Sequence, residues 1–239
     1  MFAVNMDTGA LVLLTPAQGL CRAIRDPQSS VRDELLVWME EFANRLTTQQ
    51  IGEGVIEYHA LRENAITLYP RWTQDVTTST SEDIQICSRA ITRGIEVVGS
   101  SIFVPQAAAR LGFIYSIRIR LLTPGEEGYM SPSERGFTEC QLQSRHWQIS
   151  NFETGNVDNV DGPGVIGMYP VLTEGGYYLS GQLQRKRTFQ YQSCSGPMNK
   201  GCFQGEIEFV PGTISSPTGI PFRVELKPFL LDSEPAYIF

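Results

Sequence analysis

The chain has 239 residues, 41% apolar and 19% charged, with 22 glycines, 14 prolines and a formal net charge of -7. Its length holds one large domain with a smaller element, or two modest ones, and its apolar content suffices for a core. The acidic balance argues against non-specific attachment to nucleic acid or to an anionic membrane, since both rest on clustered Lys and Arg. No segment approaches the roughly 20 apolar residues of a membrane helix, and Met1 to Asp7 lack the pattern of a signal peptide. Five cysteines, at positions 21, 87, 140, 194 and 202, form no C-x-x-C. That usage predicts a reducing compartment, the cytoplasm first, with a nuclear site or a cytoskeletal or organellar assembly left open.

In chain order, Phe2–Val4 and Leu11–Leu14 read as short strands around the turn at Asp7-Thr-Gly9. A polar loop with Pro16, Gly19 and Pro27 follows. Ser30 and Asp33 mark a helix start, and Val31, Leu35, Trp38, Met39, Phe42 and Leu46 make an apolar stripe at helical spacing. Such a stripe is usually core, so something apolar must lie against Trp38 and Phe42. Residues 51–82 read as a connector. Beyond about residue 83 the helical period disappears. Strand-like runs occupy 84–86, 94–98, 101–104, 112–120, 141–152, 176–194, 203–210 and 220–231, separated by Gly and Pro clusters. Along Phe113–Arg120 the alternation is clean, with Phe113, Tyr115, Ile117 and Ile119 on one face and Arg118 and Arg120 on the other. Many short strands between turn signals predict a mostly β chain, with a sandwich favoured at this length.

Gly162-Pro-Gly164-Val165-Ile166-Gly167 has the G-x-G-x-x-G spacing of a dinucleotide-binding turn. That turn needs a helix opening on the glycines, and Pro170 with Gly175-Gly176 leaves no room for one. The glycines therefore belong to a loop between strands.

Segment 83–239 resembles an ApaG domain, on Ala90-Ile-Thr-Arg-Gly94, Ser101-Ile-Phe-Val-Pro105, Phe113-Ile-Tyr115, Cys140-Gln-Leu-Gln-Ser-Arg-His-Trp147, Gly162–Pro170, Gly201-Cys-Phe203-Gln-Gly205 and Phe222–Leu231. The resemblance implies a fibronectin-III-like antiparallel β-sandwich. The helix Asp33–Leu46 is similar to the end of the middle domain of eukaryotic F-box proteins, which carry an F-box, a SUKH-like domain and then ApaG, and Ala65–Leu121 resembles the plant and algal branch of that group. A small N-terminal α+β element, part of a SUKH-like domain, is the expectation over residues 1–50. With room for only the tail of that domain and no F-box segment before it, the reading expects no docking on a Skp-type ligase subunit. Gly125 to Gly136 is expected to be an extended, mobile loop, and Tyr177 to Gln190, with Arg185-Lys186-Arg187, a long hairpin.

Two uses of the glycine loop stay open. Successive backbone amides at Gly162, Gly164, Val165, Ile166 and Gly167 can form an anion nest, with Arg145 and His146 approaching from the neighbouring strand. The same glycines can serve turn geometry alone, and the lack of a lysine in the loop favours that reading. Catalytic signatures are otherwise missing. With only His59 and His146 in the chain no histidine metal cluster forms, no metal is expected, and no cofactor is implied. A Cys–His dyad from Cys140 or Cys194 with His146 is weaker than the reading of both cysteines as small strand hydrophobes. The sequence thus predicts no enzyme but a protein-interaction module. It is either the substrate-recognition part of an F-box-type ubiquitin-ligase adaptor or a fixed subunit of a large assembly, with Arg185, Lys186, Arg187, Trp38 and Phe42 as candidate partner contacts. The alternative is a phosphate or nucleotide binder, or a hydrolase, using Gly162–Gly167.

Overall fold

The structure is a computed structural model that describes residues 84–103, 112–184 and 187–233, together with the backbone of five short strands nearer the N-terminus. Those five are β1 (Phe2–Val4), β2 (Leu11–Leu14), β3 (Cys21–Ala23), β4 (Ile51–Glu53) and β5 (Ile66–Pro70). β2 pairs antiparallel with both β1 and β3, and β4 pairs with β5. The hairpin expected at 2–14 is present, and β3 adds a strand where the sequence reads as polar loop. The helix expected to carry Trp38 and Phe42 lies outside the described residues.

From Cys87 to Asp232 the chain is an antiparallel β-sandwich, as the alternating runs predict. One sheet holds β6 (Cys87–Thr92), β7 (Ile95–Phe103), β8 (Phe113–Leu121) and β14 (Phe189–Ser195), in the order β14-β8-β7-β6. The other is built on β9 (Cys140–Asn151) and β15 (Lys200–Thr213), paired over most of their length. β10 (Val157–Pro163) and β11 (Val171–Thr173) share the far edge of β9. β12 (Gly176–Leu179) and β13 (Gln182–Gln184) continue outward from β11, while β16 (Ser216–Pro217) and β17 (Phe222–Asp232) border β15.

The core lies between the sheets because each strand presents alternate residues to it. Phe113, Tyr115, Ile117 and Ile119 of β8 are buried and Arg118 and Arg120 are not fully so, matching the expected faces. Aromatic rings bridge the two layers. Tyr115 meets Phe203 with centroids 4.6 Å apart, Tyr177 meets Phe189 at 5.3 Å, and Trp147 stacks on Tyr191 at 6.4 Å. Pairs of this geometry add specificity to plain area burial.

Three local expectations are corrected. Residues 84–86 are not strand, because ladder pairing starts only at Cys87. The runs at 94–98 and 101–104 are one strand, β7, which carries buried Ser100 and Ser101 because each is hydrogen-bonded. Arg118 Nη2 donates to Ser100 Oγ at 3.0 Å, and Ser101 Oγ donates to the Leu230 carbonyl at 2.9 Å. The loop read as mobile from Gly125 to Gly136 is clamped. It contains a one-turn helix, α1 (Pro132–Arg135), whose start is held by Ser131 N and Oγ donating to the Glu134 carboxylate. Arg135 is 1% exposed, ion-paired to Glu174 at 2.8 Å and donating to the carbonyls of Phe137 and Met130.

Candidate functional site

The glycine loop grows out of the β9–β10 hairpin. Gly162 and Pro163 are still strand residues, paired with Arg145 and Ser144, so the loop is shorter than the motif. Val165 and Met168 then exchange two backbone hydrogen bonds, each 2.9 Å, around Ile166 (φ 49°) and Gly167 (φ 71°). Two central residues with positive φ make a type I′ turn, the tightest antiparallel reversal. Gly164 (φ 57°) feeds it, and a Cβ there would stand 2.7 Å from the Met168 carbonyl oxygen. Its own amide donates to Gln143 O at 2.9 Å. The amides of Gly164, Val165 and Met168 are therefore consumed by the reversal. The Val165 side chain is buried in the core, whereas Ile166 is 58% exposed at the tip.

Arg145 and His146 project to opposite faces of β9, so they do not converge. Arg145 Nη1 donates to the carbonyl oxygens of Gly164, at 2.8 Å, and Pro163, at 3.4 Å, which ties the cation to the loop's backbone. On the other face His146 Nδ1 lies 3.0 Å from Asp161 Oδ1, and its Nε2 lies 3.4 Å from Ser144 Oγ. Sequence reading missed this serine–histidine–aspartate chain; Ser144 and His146 two residues apart on one strand were its only signal. A nucleophilic site also needs an activated hydroxyl and free donors for an oxyanion. Here Ser144 Oγ donates to Glu208 at 3.0 Å, and the ladders to β10 and β15 take up the backbone amides around Ser144.

The cysteines separate likewise. Cys140 is fully buried six residues along β9 from His146, about 20 Å away. Burial pushes its thiol well above the usual range, although Arg135 and Arg93 act the other way. Cys194 does occupy a strand position, on β14 in the opposite sheet, but it is exposed there and does not pack as a small hydrophobe. Among the described residues no group of three or more His, Cys, Asp or Glu is arranged to hold a metal ion.

Beside the type I′ turn opens a groove of about 510 Å³. Gln141, Val171, Tyr178 and Leu183 are successive cross-strand partners on β9, β11, β12 and β13, and so share one face. Gln141, Val171 and Tyr178 line the groove together with Met168, Tyr169, Leu179 and Thr213, and Glu139 is the only carboxylate in the lining. Gln141 braces the two sides, donating to Tyr169 O at 3.0 Å and accepting from Ile214 N at 2.8 Å. Tyr169 and Tyr178 on its walls are exposed, as are Leu183, Ile166 and Ile214 on the neighbouring strand and turns. That is a concentration of apolar surface at one place, where scattered single residues would be ordinary. Its members come from separate segments, so no sequence motif announces it.

Of the sequence-derived partner contacts, Arg187 is exposed three residues beyond β13. Arg185, Lys186, Trp38 and Phe42 lie outside the described residues. No helix among the described residues is long and apolar enough to cross a membrane.

A family model described as the ApaG domain matches residues 105–211. The F-box protein SKIP16 of Arabidopsis thaliana is 32% identical over 255 residues, covering 100% of this chain and 51% of that protein. Human F-box only protein 3 is 33% identical over 110 residues, covering 44% of this chain and 19% of its own length. Protein ApaG of Bradyrhizobium diazoefficiens is 32% identical over 149 residues, covering 61% of this chain and 92% of that protein. The chain spans about half the length of its plant relative and far less of the human one.

Proposed function

The chain belongs to the ApaG-domain family, and from that premise we propose that it is a non-catalytic protein-interaction module. The observation that carries this reading is the braced groove beside the Gly162–Gly167 turn, with its tyrosine walls and exposed Ile166, Leu183 and Ile214. Aromatic and aliphatic side chains held on a rigid face, with polar groups few and placed, are what a protein partner's side chains dock against. Similarity to SKIP16 along the whole chain supports the substrate-recognition part of an F-box-type ubiquitin-ligase adaptor as the setting. A fixed subunit of a large assembly uses the same face in the same way. The four described cysteines are free thiols, which suits a reducing, cytoplasmic location.

Phosphate or nucleotide binding by the glycine loop is the competing use. The type I′ turn disfavours it, since the amides of Gly164 and Val165 already have carbonyl acceptors and Arg145 is tied to two more carbonyls. The test is quantitative capture of partners from cells that make the chain, with wild type and a Tyr178→Ser/Leu183→Ser variant as parallel baits. The reading expects a defined partner to fall at least tenfold with the variant while its fold persists. Equal recovery by both baits, or saturable nucleotide hydrolysis by the purified chain, would count against it.

A further inference from the structure

Strand β10, Val157-Asp158-Asn159-Val160-Asp161-Gly162-Pro163, has a neighbour on one side alone among the described residues. Which of its backbone groups are free follows from the ladder. Asn151 N donates to Asn156 O at one end of the hairpin, and Gly164 N donates to Gln143 O at the other. Hydrogen-bonded and non-bonded pairs alternate in an antiparallel ribbon. Asp158, Val160 and Gly162 therefore bond to β9, and the N–H and C=O of Val157, Asn159 and Asp161 point away from it. Three donors and three acceptors stand in a row at the open edge.

Native sheets blunt such edges with charged side chains, lysine above all, or with prolines, bulges or a covering loop, and the charges on β10 are Asp158 and Asp161. β10 has a regular register, no lysine, and proline only as its last residue. Its surface is accessible and partly apolar, with Val157 47%, Val160 38% and neighbouring Phe152 49% exposed. The side chains alternate. Val157 and Asp161 share the face of His146, and Asp158 and Val160 share that of Trp147. Each face of the edge thus offers one valine and one aspartate, and β10 carries no positive charge.

We propose that this edge receives an extended, basic segment of a partner protein as an added strand. The partner's main chain pairs with Val157, Asn159 and Asp161, and its Lys or Arg side chains lie opposite Asp158 and Asp161. Pairing with a second copy is the poorer fit. Two β10 strands related about Asn159 would bring four aspartates into one short ribbon, in chains of net charge -7. The surface is separate from the groove, which flanks the other end of β9, so two contacts can engage one partner or two.

A capped nonapeptide with Lys-Val-Thr-Lys-Val at its centre places a basic and a β-branched residue on each face in antiparallel register. The test adds it to the whole chain and follows binding by fluorescence anisotropy and amide protection by NMR. Its counterpart with glutamate at both lysine positions is the control. The expected result is protection gained at the amides of Val157, Asn159 and Asp161, and binding at least tenfold weaker for the acidic peptide. Asn159→Pro removes an outward amide without touching a bond to β9, a position where proline is tolerated. It should abolish binding with the melting temperature nearly unchanged. Asp158→Asn/Asp161→Asn keeps every backbone donor and should weaken the basic peptide at least fivefold, which keeps the test decisive if the proline variant fails to fold. Protection elsewhere, equal affinity for both peptides, full binding by a folded Asn159→Pro variant, or self-association through β10 would overturn the proposal.

Discussion

The Trp147 indole packs on Gly205, its direct partner across β9 and β15. A Cβ on Gly205 would stand 2.8 Å from the ring and 2.1 Å from the His146 carbonyl oxygen. This contact lets the central tryptophan lie flat between the sheets, where it stacks on Tyr191 and tilts against Phe203. Replacing Gly205 by alanine forces backbone apart in the middle of the longest ladder. Gly205→Ala should cost at least about 2 kcal/mol in urea unfolding. Gly175→Ala, where an added Cβ meets nothing within 4 Å, should stay within about 0.5 kcal/mol.

Arg135 is a second point of strain if altered. Its guanidinium is buried, ion-paired to Glu174, and donates to two carbonyls that close the loop around α1. Removing it takes that donor from both carbonyls and leaves Glu174 with the Tyr129 hydroxyl, 3.3 Å away. Arg135→Met should destabilise the fold by about 3–5 kcal/mol, read from thermal unfolding. A shift no larger than that of Arg223→Met, an exposed pair with Glu206, would refute the clamp.

Acid stability should depend on Glu126. Burial opposes its ionisation, but hydrogen bonds from Arg120 and Thr123 outweigh that and hold its carboxyl at about 2. A depressed folded-state value contributes stability above the unfolded carboxylate range, and that contribution fades as pH falls toward the folded value. Melting temperature should therefore decline between about pH 5 and pH 2, and Glu126→Gln should flatten part of that decline.

Thiol reactivity should separate the cysteines. Cys194 is exposed, whereas Cys87, held up at about 12 by burial despite Arg118, and Cys140 are enclosed in the sandwich. Thiolate is the reactive form. Maleimide labelling of the native chain, mapped by peptide, should modify Cys194 and spare Cys87 and Cys140 until denaturant is added.

Much of the sandwich was legible because its strands obey one rule. Phe113, Tyr115, Ile117 and Ile119 recur at every second position, and the structure buries the face they name, with Ser116 the one residue of the other face buried alongside it. Where buried polar residues are satisfied by distant partners, as Ser100 and Ser101 are, the pattern looked broken and β7 was split in two. The turn at Ile166-Gly167 was hidden because a β-branched residue seldom adopts positive φ, so its sequence lacks the usual Asn-Gly signature. α1 is a single turn, too short for helical periodicity to register. The groove was least legible. Gln141, Val171 and Tyr178 meet only through the pairing of β9 with β11 and β12, and Thr213 joins them from the end of β15, so no local window contains the site.

The central claim is that a protein partner docks at the groove beside the glycine turn. Its most direct test places a photo-crosslinking phenylalanine derivative at position 178, and in a second protein at the exposed position 227 of β17, inside cells that make the chain. The account predicts one discrete crosslinked polypeptide from position 178 and none from position 227. No adduct from 178, or the same adduct at equal yield from both, would contradict it.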